Sequence, residues 1–152
     1  MAESPASEQR ACTCSEIEAI KRLFAEYGRL LDLRDAQSWA ALFAPDGQWI
    51  GGEQYGAIEG RSDLAAFVTR EFSDAPPCVH MFGNFAITVD DSGERAKSWS
   101  RWMLLEQGTD GLRAALAGSY SDDLVRLPEG WRFARRNVAL DLPAIPAAAT
   151  SS

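Results

Sequence analysis

Ile17, Ile20, Phe24, Tyr27 and Leu31 recur at helical spacing near the start of the chain, and Leu23 and Leu30 widen the stripe. Ser15 and Glu18 precede it as a capping box, in which each side chain satisfies a free backbone N–H of the first turn. The pattern predicts an amphipathic helix over roughly residues 15 to 33. Asp35 is placed to cap a second short helix carrying Trp39, Leu42 and Phe43, and Pro45-Asp46-Gly47 supplies turn chemistry after it. A strand begins at Gln48 to Ile50, and Gly51-Gly52 with Gly56 predicts a loop or hairpin near Tyr55. Ser62 is placed to cap a third helix, roughly 62 to 72, with Leu64, Phe67, Val68 and Phe72 on one face.

Beyond Pro76-Pro77 the pattern changes to long strands joined by short turns. Strands are predicted over 78–89, 95–106, 112–127 and 131–140, with turns at Asp90 to Gly93, Gly108 to Gly111 and Pro128 to Gly130, and a break at Gly118. Helices first and hairpin-linked strands afterwards predict an α+β fold, with helices on one face of a strongly curved antiparallel sheet. A bent sheet covered by helices makes a cone, and its concave interior is a natural small-molecule pocket. Residues 1–14 read as a flexible tail and the Pro/Ala-rich 143–152 as a loose one, which leaves one domain over 15–142.

Composition narrows the function classes. With 152 residues, 46% apolar and 24% charged, the chain matches an ordinary soluble domain. A net charge of −7 and no basic stretch argue against nucleic acid and against an anionic membrane. No apolar run approaches the roughly 18 to 20 residues that span a bilayer. The acidic start lacks the basic and apolar regions of a signal peptide, so a cytoplasmic location is expected. Cys12, Cys14 and Cys78 lack a zinc-ribbon spacing and are expected as free thiols. With one histidine and no acidic cluster at metal-loop spacing, no metal is expected.

That single histidine, His80, is the only side chain whose ordinary pKa lies near neutrality. It shares strand parity with Cys78 and Phe82, so all three point the same way. Proton abstraction by a neutral imidazole is helped by a carboxylate on its other nitrogen, which fixes the tautomer and stabilises the imidazolium. The plain alternative makes His80 a hydrogen-bonded core residue. Asp32 meets an obstacle: at about 100° per residue it lies off the apolar stripe, and it faces a pocket only if the helix ends or bends there. Asp35 fits the stripe better but has a capping task.

Several short patterns occur together: Tyr27-x4-Asp32, Trp39-x2-Leu42-Phe43, Asp46-Gly47-x-Trp49, Gly60-Arg61, His80-x3-Asn84, Gly118-x-Tyr120-x-Asp122 and Gly130-Trp131-Arg132-Phe133. Together they resemble the SnoaL-like branch of the nuclear transport factor 2-like superfamily, over roughly residues 15 to 142. Tyr27, Asp32 and His80 are similar to the pattern of its dehydratase and dehydrohalogenase group, which includes scytalone dehydratase, bile-acid 7α-dehydratase and hexachlorocyclohexane dehydrochlorinase. The resemblance implies a cone-shaped α+β barrel and a cofactor-independent lyase or isomerase acting on a cyclic, largely apolar molecule. It implies His80 as the base, Asp32 as its orienting carboxylate, and Tyr27 with an arginine, Arg126 or a last-strand residue such as Arg135 or Arg136, stabilising charge. It further implies a homodimer or homotrimer joined through the outer face of the sheet. Trp49, Tyr55, Cys78, Phe82, Asn84, Trp102, Tyr120 and Arg135 are the expected pocket residues, with Gly83-Asn84 alternatively a bulge. Two other readings stay open. One is a non-catalytic binding or accessory module of the same fold. The other is a polyketide cyclase in which an aspartate is the base.

Overall fold

The computed structural model describes the backbone of residues 5–142 and the side chains of residues 13–142. Helix α1 runs Pro5–Asp32, α2 Ala36–Ala40, α3 Gly52–Tyr55 and α4 Arg61–Phe72. Strands are β1 Phe43–Ile50, β2 Ala57–Glu59, β3 Cys78–Val89, β4 Arg95–Gly108, β5 Gly111–Leu127 and β6 Gly130–Leu142. One open sheet has the order β2-β1-β6-β5-β4-β3. All neighbouring pairs are antiparallel except β1 with β6, so the sheet is mixed rather than wholly antiparallel. The chain reaches β6 from β1 only after passing through the other strands, and it arrives running in the same direction.

The long strands fall where the alternation and turn residues place them. Gly118 lies within β5, which runs on through it, but the pairing of β5 with β6 slips between Ala117 and Gly118. The start of α1 differs from the expected boundary. Helix continues upstream to Pro5, so Ser15 and Glu18 lie inside it rather than at its first turn. Glu18 instead receives Lys21 at 2.7 Å across one helical turn. Residues 143–152 lie outside the described residues. Phe43 and the Pro45-Asp46-Gly47 segment belong to β1, where the register against β6 jumps between Phe43 and Gln48. Gly47 is needed at that bulge, because a Cβ there would lie 2.7 Å from the Phe133 carbonyl oxygen. The fold caps α4 with Gly60, not Ser62. The glycine-bounded segment near Tyr55 folds as α3 and leads into the β1–β2 hairpin.

The helical stripe is the core face. Ile20, Phe24, Tyr27 and Leu31 are each at most 4% exposed, and they pack with Trp39, Phe43, Leu64, Val68 and Phe133. Burying each such side chain contributes about 1.5–3 kcal/mol before chain entropy is charged against it. Gly28 sets how closely α1 lies on β3. A Cβ at that position would meet the Phe82 ring at 2.5 Å. This close approach brings the end of α1 level with the start of β3.

Candidate active site

Asp32 is the last residue of α1. Two residues on, Arg34 adopts φ 59° and turns the chain away. Its guanidinium donates to the Ser73 carbonyl at 3.1 Å and also reaches the Ala75 carbonyl, tying the end of α1 to the segment that leads into β3. The helix therefore stops where its phase would otherwise carry Asp32 off the buried face. Asp35 does the capping work expected of it, accepting from the Ser38 N–H at 3.1 Å.

The Asp32 carboxylate meets His80 twice. Oδ1 lies 2.7 Å from the ring Nδ1, and the two oxygens lie 3.1 and 3.2 Å from the His80 backbone nitrogen. A carboxylate only accepts, so Nδ1 is the donor, and in the neutral imidazole that leaves the lone pair on Nε2. The backbone contact fixes the carboxylate relative to the strand that carries the ring. Only 7% of the His80 side chain is exposed, against 23% for Asp32.

His80 lines a cavity of about 730 Å³ between the helices and the concave side of the sheet. Tyr27, Trp49, Tyr55, Trp102 and Tyr120 line it too, while Asp32 stands behind His80, outside the lining. Trp39, Phe67, Phe72, Leu104, Leu116 and Val138 complete an apolar wall that the sequence reading did not assign to a pocket. Strand parity held part of that signal: Trp102 with Leu104 and Leu116 with Tyr120 alternate on one face. Glu53 and Glu71 are the acidic residues of the lining, and among the described residues no lysine or arginine contributes to it.

Tyr27 is 2% exposed, and its hydroxyl oxygen accepts from the Trp49 indole N–H at 3.0 Å. With that lone pair engaged, the hydroxyl proton remains available as a donor. Burial pushes the phenol above its ordinary pKa, and the nearby Arg136 charge only partly opposes the shift. Tyr120 is pushed well above by burial and then by its neighbour Tyr27. Both phenols therefore stay protonated at physiological pH.

The remaining expected residues lie elsewhere. Phe82 packs edge-on against Tyr27 and stacks on Tyr120 beneath the cavity, with centroids 5.9 and 5.7 Å apart. Asn84 has φ 54° and sits where the β3–β4 register slips between Gly83 and Ala86, so the bulge alternative describes it. With Phe82 it borders a second, more open depression of about 580 Å³. Cys78 is half-buried beside the Asp32–His80 pair and lines neither concavity. Arg126 lies outside the cavity lining, near the end of β5, and pairs with Glu16 of α1 at 2.9 Å. Arg135 is exposed.

The register of β6 instead buries Arg136, which is 0% exposed. It donates to Asp122 at 2.7 and 2.9 Å, and its guanidinium lies 4.0 Å from the Tyr120 ring centroid and 4.3 Å from that of Tyr27. Burial works against this charge, but Asp122 more than offsets it and holds the pKa above the ordinary arginine value.

The helix-covered curved sheet, its cavity and the patterns along the chain define a class, the cystatin-like folds of the nuclear transport factor 2 type. Residues 13–137 match the SnoaL-like domain, and the chain belongs to that family. The chain is 29% identical over 119 residues to Rv2910c, an uncharacterized protein of Mycobacterium tuberculosis, covering 77% of this chain and 80% of the relative. It is similar to an NTF2-like protein with a cystatin-like fold from Novosphingobium aromaticivorans, with 26% identity, a TM-score of 0.78 and coverage of 95% and 90%. A second protein of that organism, provisionally named a scytalone dehydratase, shares the fold at 22% identity, a TM-score of 0.76 and coverage of 95% and 99%.

Proposed function

We propose that the protein is a lyase or isomerase of the dehydratase type, acting on an uncharged, cyclic, largely apolar molecule. The observation that carries this reading is the 2.7 Å contact between His80 Nδ1 and Asp32 at the wall of the apolar cavity. In this mechanism His80 Nε2 takes a proton from a carbon next to an activating group. Asp32 keeps Nδ1 protonated and stabilises the imidazolium. The neutral Tyr27 hydroxyl, held by Trp49, donates to the oxygen on which charge develops. As the bond to the leaving group breaks, the imidazolium returns the proton to the departing group or to solvent. Imidazole abstraction of this kind requires no cofactor.

The lining also defines what enters. Aromatic walls favour flat or cyclic apolar ligands. Glu53 and Glu71, with no cation in the lining, disfavour anions. Asp32 lies behind the ring rather than in the wall, which supports His80 over an aspartate as the base. An accessory binding module would keep the cavity but has no need of a free Nε2 backed by a carboxylate. A panel of neutral cyclic ketones and β-hydroxy carbonyl compounds, assayed by loss of water, tests the proposal. Turnover by the natural sequence and its loss in His80→Gln is the expected result. Unchanged turnover in that variant overturns it.

The outer side of the sheet carries Met81 opposite Met103, with Val79 on the same face, and the three are 53%, 41% and 48% exposed. This row supports the proposed homo-oligomer.

A further inference from the structure

Behind the cavity wall, three metal-ligating side chains of different chemistry come together from two elements. A carboxylate oxygen of Asp32 at the end of α1, the Cys78 thiol and a ring nitrogen of His80 on β3 all lie within 4.8 Å of one another. Nδ1 is the nitrogen that already faces Asp32. Tetrahedral zinc, with metal–ligand distances of about 2.0–2.3 Å, holds its ligands about 3.3–3.8 Å apart. Side-chain rotations of an ångström or so therefore convert the cluster into three ligands, leaving the fourth position to water. The contact between Asp32 and the His80 backbone N–H would hold the carboxylate in place as a neighbouring hydrogen bond does for other metal ligands. Asp32 is 23% exposed on its side chain and Cys78 is half-buried, so an ion reaches them from outside without crossing the substrate cavity.

We propose that Asp32, Cys78 and His80 form an inhibitory site for a thiophilic divalent cation such as Zn²⁺. Binding replaces the Cys78 thiol proton, which leaves to solvent, so the site holds one metal dication, one thiolate and one carboxylate and is neutral overall. The metal takes the Nδ1 lone pair, and the single imidazole proton moves to Nε2. Nε2 is the nitrogen proposed to abstract the substrate proton, and once protonated it has no lone pair to do so. The metal thus switches off the base without occupying the cavity. A thiolate–imidazole–carboxylate set selects Zn²⁺ or Cd²⁺ over Mg²⁺ and Ca²⁺. The linear spacing of 32, 78 and 80 matches no metal motif, so the site is visible only once α1 and β3 are packed together. The binding half stands independently, and only the inhibitory half rests on the proposed function.

Cadmium titration of the full-length Cys12→Ser, Cys14→Ser protein tests the site, because Cys78 is then the only thiol. One equivalent of Cd²⁺ is expected to produce the ultraviolet cadmium–thiolate band. Cys78→Ala is expected to abolish the band, and Asp32→Asn to weaken binding at least tenfold. Nitrogen-15 spectra of the single histidine report the tautomer in the same samples. They are expected to show Nδ1–H without metal and Nε2–H with Zn²⁺. An absent band, or a histidine tautomer unmoved at saturating Zn²⁺, overturns the inhibitory site. An Nε2–H form before any metal is added overturns the Asp32–His80 reading instead, so the two failures are separable.

Discussion

Two acid–base pairs in the same domain differ in character: Asp32 with His80, and Asp122 with Arg136. Both have contacts of 2.7 Å. Asp122 and Arg136 have no side-chain exposure at all, and aromatic rings of Phe24, Tyr27, Tyr120 and Phe133 enclose the guanidinium. Its charge cannot be transferred, so the pair is a fixed electrostatic element behind the tyrosines. Asp32 and His80 keep partial exposure, and the imidazole borders the cavity. Contact distance does not distinguish structure from chemistry here. A transferable proton and access to space do.

Replacing the base should break the comparison most sharply. His80→Gln is expected to cut turnover by about 10²- to 10⁴-fold. Its far-ultraviolet circular dichroism should match that of the unaltered chain. Stopped or steady-state kinetics on a substrate from the neutral cyclic panel reads the loss.

The buried pair should fail in the opposite way. Arg136→Met strands the Asp122 carboxylate in the core and is expected to cost about 3–5 kcal/mol of stability. Denaturant unfolding measures that cost. The additional change Asp122→Leu should recover much of it, since the penalty lies in the unpaired charge rather than in the lost bond.

Trp49→Phe sharpens the link between the two regions. It removes the N–H that engages Tyr27 but keeps an aromatic wall. The expected loss is about 0.5–1.5 kcal/mol of transition-state stabilisation, up to roughly tenfold in kcat with little change in KM. Equal loss in a Tyr27→Phe, Trp49→Phe double variant and in Tyr27→Phe alone would show that Trp49 acts through the tyrosine.

The smallest effect belongs to Arg126. It is an expected catalytic group that the fold places in a half-exposed ion pair with Glu16. Arg126→Ala should change stability by less than about 1 kcal/mol and leave kcat unchanged, as thermal unfolding and kinetics would show.

These cases mark how much the sequence disclosed. The stripe from Ile20 to Leu31 and the four long strands were legible, because burial of one face imposes a period of about 3.6 on a helix and 2 on a strand. Asp32 was ambiguous for a local reason: its phase placed it off the stripe, and only the end of α1 at that residue turns it to His80. The choice between Arg135 and Arg136 was not legible. Irregular pairing around β1 and β6 sets which neighbour faces inward, and a one-residue change of register exchanges the faces.

The sequence by itself determined the α+β order of elements, the uniqueness of the one histidine and the aromatic supply for a cavity wall. Each follows from composition or from periodicity within a single segment. The tertiary structure alone decided that Asp32 meets His80 across 48 positions, that Trp49 engages Tyr27, and that Cys78 joins the pair from behind. Those contacts depend on how closely α1 lies on β3 at Gly28, where the chain turns at Arg34, and which face each strand presents. Such features arise from packing between distant segments, and local pattern carries no record of them.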